Sequence, residues 1–133
     1  MPGILRPQSP ATVRQACLRR IRTALQPTAA GLPRQAGEQE RLVFVREQLG
    51  LVAASVEATA LAWEQRGYWA KADGFRREWS WVESARVDLH AAIQAETPAE
   101  ADSLVASLLV RLIQLGVELQ AGTQAGGRSQ SSP

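Results

Sequence analysis

The sequence predicts an all-α protein: a small up-and-down four-helix bundle in which a short basic N-terminal helix precedes three longer antiparallel helices. Three observations carry this. Leu42, Val45, Leu49, Val52, Val56, Thr59 and Trp63 follow alternating spacings of three and four, and Tyr68, Ala72, Phe75, Trp79, Val82, Arg86, Leu89 and Ile93 repeat the pattern in a new register. That is the period of one helix face. Helix starts are written at Ser9-Pro10 and at Thr97-Pro98-Ala99-Glu100. Apolar–polar alternation and hairpin dipeptides between strand-like residues are missing, so no sheet is assigned. The 133 residues suit one domain, and an apolar share of 45% is enough for a core at this length.

Residues 1–9 are Pro-punctuated and read as a flexible start. The first helix is placed at 10–26: the Ser9 hydroxyl can accept orphan backbone N–H groups, proline is tolerated in the first turn, and Pro27 stops the run. Val13, Cys17, Leu18, Ile21 and Leu25 share its apolar side. Residues 27–37 hold two prolines and two glycines and read as a linker. The second helix is placed at 38–66. Its register breaks at Gly67, and the next register runs unbroken to Ile93, so one helix is predicted over 68–95 with Asp73-Gly74 inside it; a break at Gly74 is the alternative. Thr97 and Glu100 have the spacing of a capping box, with Pro98 between them at the first helical position, and open a helix over 98–120. Residues 121–133 read as a disordered tail. The domain is therefore 10–120. Short connections at Gly67 and Glu96-Thr97 imply antiparallel neighbours for the last three helices.

The helix at 98–120 is apolar over most of its circumference: Leu104, Val105, Leu108, Leu109, Val110, Leu112, Ile113, Leu115, Val117 and Leu119 leave a narrow polar side of Ser103, Ser107, Arg111, Gln114 and Glu118. Such a surface is too wide for three neighbours, and an uncovered patch is a liability unless a partner hides it. A homodimer through this helix is expected, with Leu109 and Ile113 as contacts.

The net charge is +2, from 15 basic and 13 acidic residues, but the signs are segregated: residues 1–37 carry six arginines and no acid, and the remaining 96 carry a net −4. Arg14, Arg19, Arg20 and Arg22 on the first helix could bind nucleic-acid phosphates, with affinity falling steeply in salt. The same acid-free, Arg-rich start has the composition of an organelle targeting peptide, should the source be eukaryotic. The simplest reading is that the helix packs on the bundle and its arginines answer the acidic remainder. No apolar run approaches the ~18 residues of a membrane span, and a cytoplasmic protein is expected.

Catalytic constellations are missing from the sequence. Cys17 is the only cysteine, which excludes a disulfide framework and multi-cysteine metal sites. His90 is the only histidine, and Val87 stands three residues before it where a di-metal bundle would need Glu. No HExxH, phosphate-binding glycine loop or GxSxG occurs. No enzyme activity and no cofactor or metal is expected. Trp63-x-x-x-Gly67 with Asp73-Gly74-Phe75 resembles part of a tetratricopeptide unit, but no second copy exists where at least three would be needed.

Six of seven aromatic residues fall between positions 63 and 81. Trp63, Tyr68, Phe75 and Trp79 lie on the apolar stripes and read as core. Trp69 and Trp81 point away from the stripe on opposite flanks, so they either cover buried edges or anchor a partner, where Trp is enriched. Arg86 occupies a stripe position; it either snorkels and pairs with an acid from the preceding helix, or acts as a buried polar device fixing register. The function expected from these features is a non-catalytic helical protein–protein interaction module, an assembly or adaptor factor, with Trp69, Trp81, Arg86, Leu109 and Ile113 as contacts. The alternatives are a nucleic-acid-binding accessory protein using the first helix, and a carrier of a flat apolar ligand in the Trp-rich region.

Overall fold

The computed structural model describes residues 8–26 and 37–119, and among these it contains five α-helices and no strand. They are α1 (Pro10–Ala24), α2 (Glu38–Gln65), α3 (Trp69–Glu78), α4 (Ser80–Ala95) and α5 (Pro98–Gln114). Most of residues 1–9, the linker 27–36 and the tail 120–133 lie outside the described residues. Among the described residues no helix is long and apolar enough to cross a membrane.

The long α2 is the hub, with α1, α3 and α4 all packed against it. Its composition demands this: Leu42, Val45, Leu49, Val52, Val56 and Ala60 form an apolar stripe along its length and are buried. Val45, Leu49 and Val52 meet Leu18 and Ile21 of α1, Val82 and Leu89 of α4 and Leu112 of α5 in one continuous core. Each of the larger side chains contributes about 1.5–3 kcal/mol on burial. Ala60 and Ala72 are fully buried, and such small side chains let α3 approach α2 closely. By contrast, α5 packs mainly on α4 and touches α1.

Local chemistry explains the helix ends. Ser9 caps α1 as expected, its Oγ accepting from the Thr12 backbone N–H at 3.1 Å, and Pro10 opens the helix. At its other end, Arg41 of α2 donates to the Ala24 carbonyl at 2.7 Å, setting a cation on the negative pole of the helix. Three helices end in the same hydrogen-bonded wrap. After α2, Tyr68 N–H donates to the Trp63 carbonyl and Gly67 N–H to that of Glu64; after α5, Val117 donates to Leu112 and Gly116 to Ile113; after α4, Thr97 donates to Ala92 and Glu96 to Ile93. This motif needs a left-handed residue. Gly67 (φ 86°) and Gly116 (φ 78°) supply it at little cost, whereas Glu96 (φ 54°) adopts it against its own Cβ.

Two predicted helices change shape. The helix expected over 68–95 is two helices, broken neither at Gly74 nor at Gly67 alone but also at Trp79, whose φ −103° and ψ 9° leave the helical region. Ser80 takes the Arg77 carbonyl with its hydroxyl at 3.0 Å, competing with the backbone ladder there. A single non-helical residue preserves the three–four spacing, so periodicity passes straight through the break. The helix expected over 98–120 stops at Gln114, because Gly116 turns the chain and seats Val117 back in the core. Thr97 does not close the expected capping box on the backbone; its hydroxyl donates to Glu100 Oε1 at 3.2 Å instead.

These conformations predict opposite signs for simple substitutions. Gly67→Ala meets no steric neighbour, yet it should cost about 1 kcal/mol through its left-handed backbone. Gly74→Ala, inside α3 and in open contact with only the Arg77 side chain, should stabilise by about 0.5–1 kcal/mol. Glu96→Gly should stabilise by a similar amount. Urea midpoints of the three variants check all three signs.

Candidate functional site

The aromatic residues form a ladder of rings running from the end of α2 to the start of α4. Trp63 and Phe75 meet edge to face with centroids 4.9 Å apart, Phe75 and Trp79 lie at 6.2 Å, and Trp79 and Trp81 at 5.8 Å. A cation rests on each part of it: Lys71 over Trp63 at 4.5 Å, Arg14 over Phe75 and Trp79 at 5.0 and 5.5 Å, and Arg111 over Trp81 at 5.2 Å. Trp63, Phe75 and Trp79 are half-buried, and Phe75 and Trp79 pack against the core, in keeping with their stripe positions. Tyr68 is not: it is 54% exposed at the turn after α2.

Arg14 is buried, so its expected place among surface phosphate contacts is corrected. Its Nη1 donates to the Ser55 carbonyl and Oγ, both at 3.3 Å, and to Thr59 Oγ1 at 3.4 Å, while its Nε is buried with no hydrogen-bond acceptor. Burial pulls its pKa below the ordinary arginine value, partly offset by nearby Glu78. Arg22 is likewise turned to an internal partner, donating to the Val117 carbonyl beyond α5. Arg19 is half-buried and Arg20 exposed, the latter reaching Cys17 Sγ at 3.8 Å. The arginines of α1 therefore do not form one outward basic face.

Arg86 pairs with Glu83 of its own helix, not with α2: Nε and Nη2 reach the two carboxylate oxygens at 3.0 and 2.5 Å. Its stem snorkels across Gly50, where an added Cβ would stand 3.7 Å from the Arg86 Cδ. His90 Nδ1 accepts from Arg46 Nη1 at 2.8 Å. Cys17 is buried on α1, and its thiol pKa is pushed up by that burial. Among the described residues no group of three or more potential metal ligands comes together.

An open apolar surface lies on α5 and just beyond its end. Val110 and Ile113 are 54% and 53% exposed, and Leu115 and Leu119 follow in the same state. Leu109, expected alongside Ile113, is half-buried and packed on the core instead. Next to this ridge, α4 and α5 diverge to leave a groove of about 280 Å³, floored by Val45 of α2 and walled by Leu89, Leu104, Leu108 and the half-buried Trp81. Ser84, Asp88, Ser107 and Arg111 stand at its sides. Trp69 is 63% exposed at the opening turn of α3, so the structure does not join it to the groove that takes Trp81. Asp88, Arg111 and Val110 were not among the expected contacts. One signal could have found the two charges: neither has an opposite charge three or four residues away, unlike Arg41 with Glu38 or Arg86 with Glu83.

The α2–α3 corner is closed by a separate device. Arg76 bonds Glu57 at 2.9 and 3.0 Å and Glu64 at 2.5 Å. These hydrogen bonds hold both carboxyls below their usual pKa and raise that of Arg76. Because the folded carboxylates bind protons less readily than the unfolded ones, the clamp is at full strength above the ordinary carboxylate range and is lost as pH falls through the depressed values. The stability difference between wild type and Arg76→Ala should be constant at neutral pH and shrink from about pH 4 downward; high salt should reduce it too. Arg14→Ala should cost roughly 2 kcal/mol from lost packing and bonds, whereas Arg14→Met should be nearly neutral, since an apolar side chain of similar size spares the desolvation of a buried charge. Urea unfolding followed by tryptophan emission measures both.

Comparisons with protein-family models, curated proteins and solved structures give no match to this chain.

Proposed function

We propose that this chain is a non-catalytic helical interaction module, an assembly or adaptor factor, and that it self-associates through the outward face of α5. The observation that carries the reading is the pair Val110 and Ile113, each more than half exposed on a helix with one principal neighbour. Val110 stands beside Ser107 and Arg111, which also line the wall of the apolar groove. Scattered single apolar side chains need no partner, but a contiguous ridge beside a groove has the form of a contact surface. In this reading the turns at Gly67 and Glu96-Thr97 make an up-and-down bundle whose last helix is one neighbour short. Trp81 contributes as a groove wall, and Trp69 with Tyr68 forms a second, separate aromatic patch. Arg86, held by Glu83, offers a partner its stem more than its charge.

The test is the double variant Val110→Glu/Ile113→Glu of the full chain. Both side chains already face water, so helical content and unfolding midpoint should stay within about 0.5 kcal/mol of wild type. Light scattering and crosslinking should show lost self-association and lost partner contacts. A variant with the wild-type mass and the same crosslinked partners would refute the reading. Leu109→Glu would test folding instead, because that side chain packs on the core.

A further inference from the structure

We propose that the occupant of the α4–α5 face is a second copy of this chain, related by a two-fold axis that sets Arg111 of each copy against Asp88 of the other. The inference rests on the reading of α5 as a self-association face and adds the symmetry and the register of the two copies. A two-fold interface presents the same patch twice, so the patch must contain its own complement. This one does. It pairs a concave element, the groove floored by Val45, with a convex one, the exposed Val110, which neighbours Ser107 and Arg111 of the groove wall. It also carries one charge of each sign. Among the described residues Asp88 forms no ion pair, and Arg111 none beyond its stack on Trp81.

The two charges are separated along the groove. Arg111 lies over Trp81 near the start of α4, and Asp88 is seven residues further on, about 10 Å along the helix axis. Within one copy they stand at different levels of the groove. A two-fold exchange reverses one copy against the other, so both pairs form together while Val110 of each copy lies over the opposite groove. The face is large enough. The 17 residues of α5 make it about 25 Å long, and two helices at spacings of ~8–10 Å make it about 20 Å wide. That is roughly the 500 Å² per copy that a specific interface needs at minimum. A groove open along its side suits a helix ridge better than an enclosed small molecule.

Charge reversal in the full chain tests the register. Sedimentation velocity over a concentration series should show a wild-type dimer. Asp88→Arg and Arg111→Asp should each weaken it at least tenfold by setting like charges face to face. The double variant Asp88→Arg/Arg111→Asp should recover most of the loss. Arg111→Asp removes the Trp81 stack in both the single and the double variant, so recovery reads the intermolecular pair alone. Both residues are exposed, so circular dichroism should match wild type in every case. A monomeric wild type at hundreds of micromolar, single variants that dimerise normally, or a double variant no better than the singles would overturn the proposal. If the wild type is monomeric but Val110→Glu/Ile113→Glu abolishes contacts with a different protein, the second copy is wrong and the α5 contact face survives. If that variant changes nothing, the contact face itself is wrong.

Discussion

The structure depends on covering α2. A helix of 28 residues whose stripe from Leu42 to Ala60 is apolar needs neighbours along its whole length to keep that stripe from water. Three helices therefore gather on it, and the core forms where α1, α4 and the inner face of α5 meet Val45, Leu49 and Val52. That arrangement has a consequence for the last helix. With the flanks of α2 occupied by α1, α3 and α4, α5 is left on the outside against α4 with a lighter contact to α1. Its sequence is apolar enough for two neighbours, and only the Leu108–Leu112 side is satisfied. The exposed Val110 and Ile113 follow from the order in which neighbours are used up, and do not reflect any unusual property of those residues.

Arg14 shows the opposite outcome, a charge drawn inward. Its guanidinium is planar and weakly hydrated, which allows it to lie on the Phe75 and Trp79 rings while Nη1 bonds α2. The contact joins three elements at one point: α1, α2, and the junction at which α3 passes into α4. Desolvation opposes the charge, and the hydrogen bonds and ring faces offset it. The remaining cations divide by the same logic. Arg22, Arg41, Arg76 and Arg86 each have an oxygen partner within the fold. Arg111 has an aromatic face and no carboxylate, which is why it belongs to the outward surface and not to the scaffold.

Much of the helical layout was legible in the sequence, since it depends on neighbours three and four residues apart. The Ser9-Pro10 start, the turn at Gly67 and the start at Pro98 are local chemistry, and the chain obeys them. The stripe residues Leu42, Val45, Leu49 and Val52 are buried for the same reason. Periodicity alone could not show the break at Trp79, because one non-helical residue leaves the apolar spacing unchanged. The tertiary structure decided which of two adjacent apolar residues faces outward: Leu109 turns in and Ile113 out, a choice set by where α4 lies. The fate of Arg14 was hidden for a related reason. Its partners Ser55, Thr59, Phe75 and Trp79 are more than forty positions away in the chain, and no local pattern distinguishes an arginine bound for a ring stack from one bound for solvent. Periodicity and capping act over a single turn, whereas the surface left for a partner depends on which faces the distant helices have already taken.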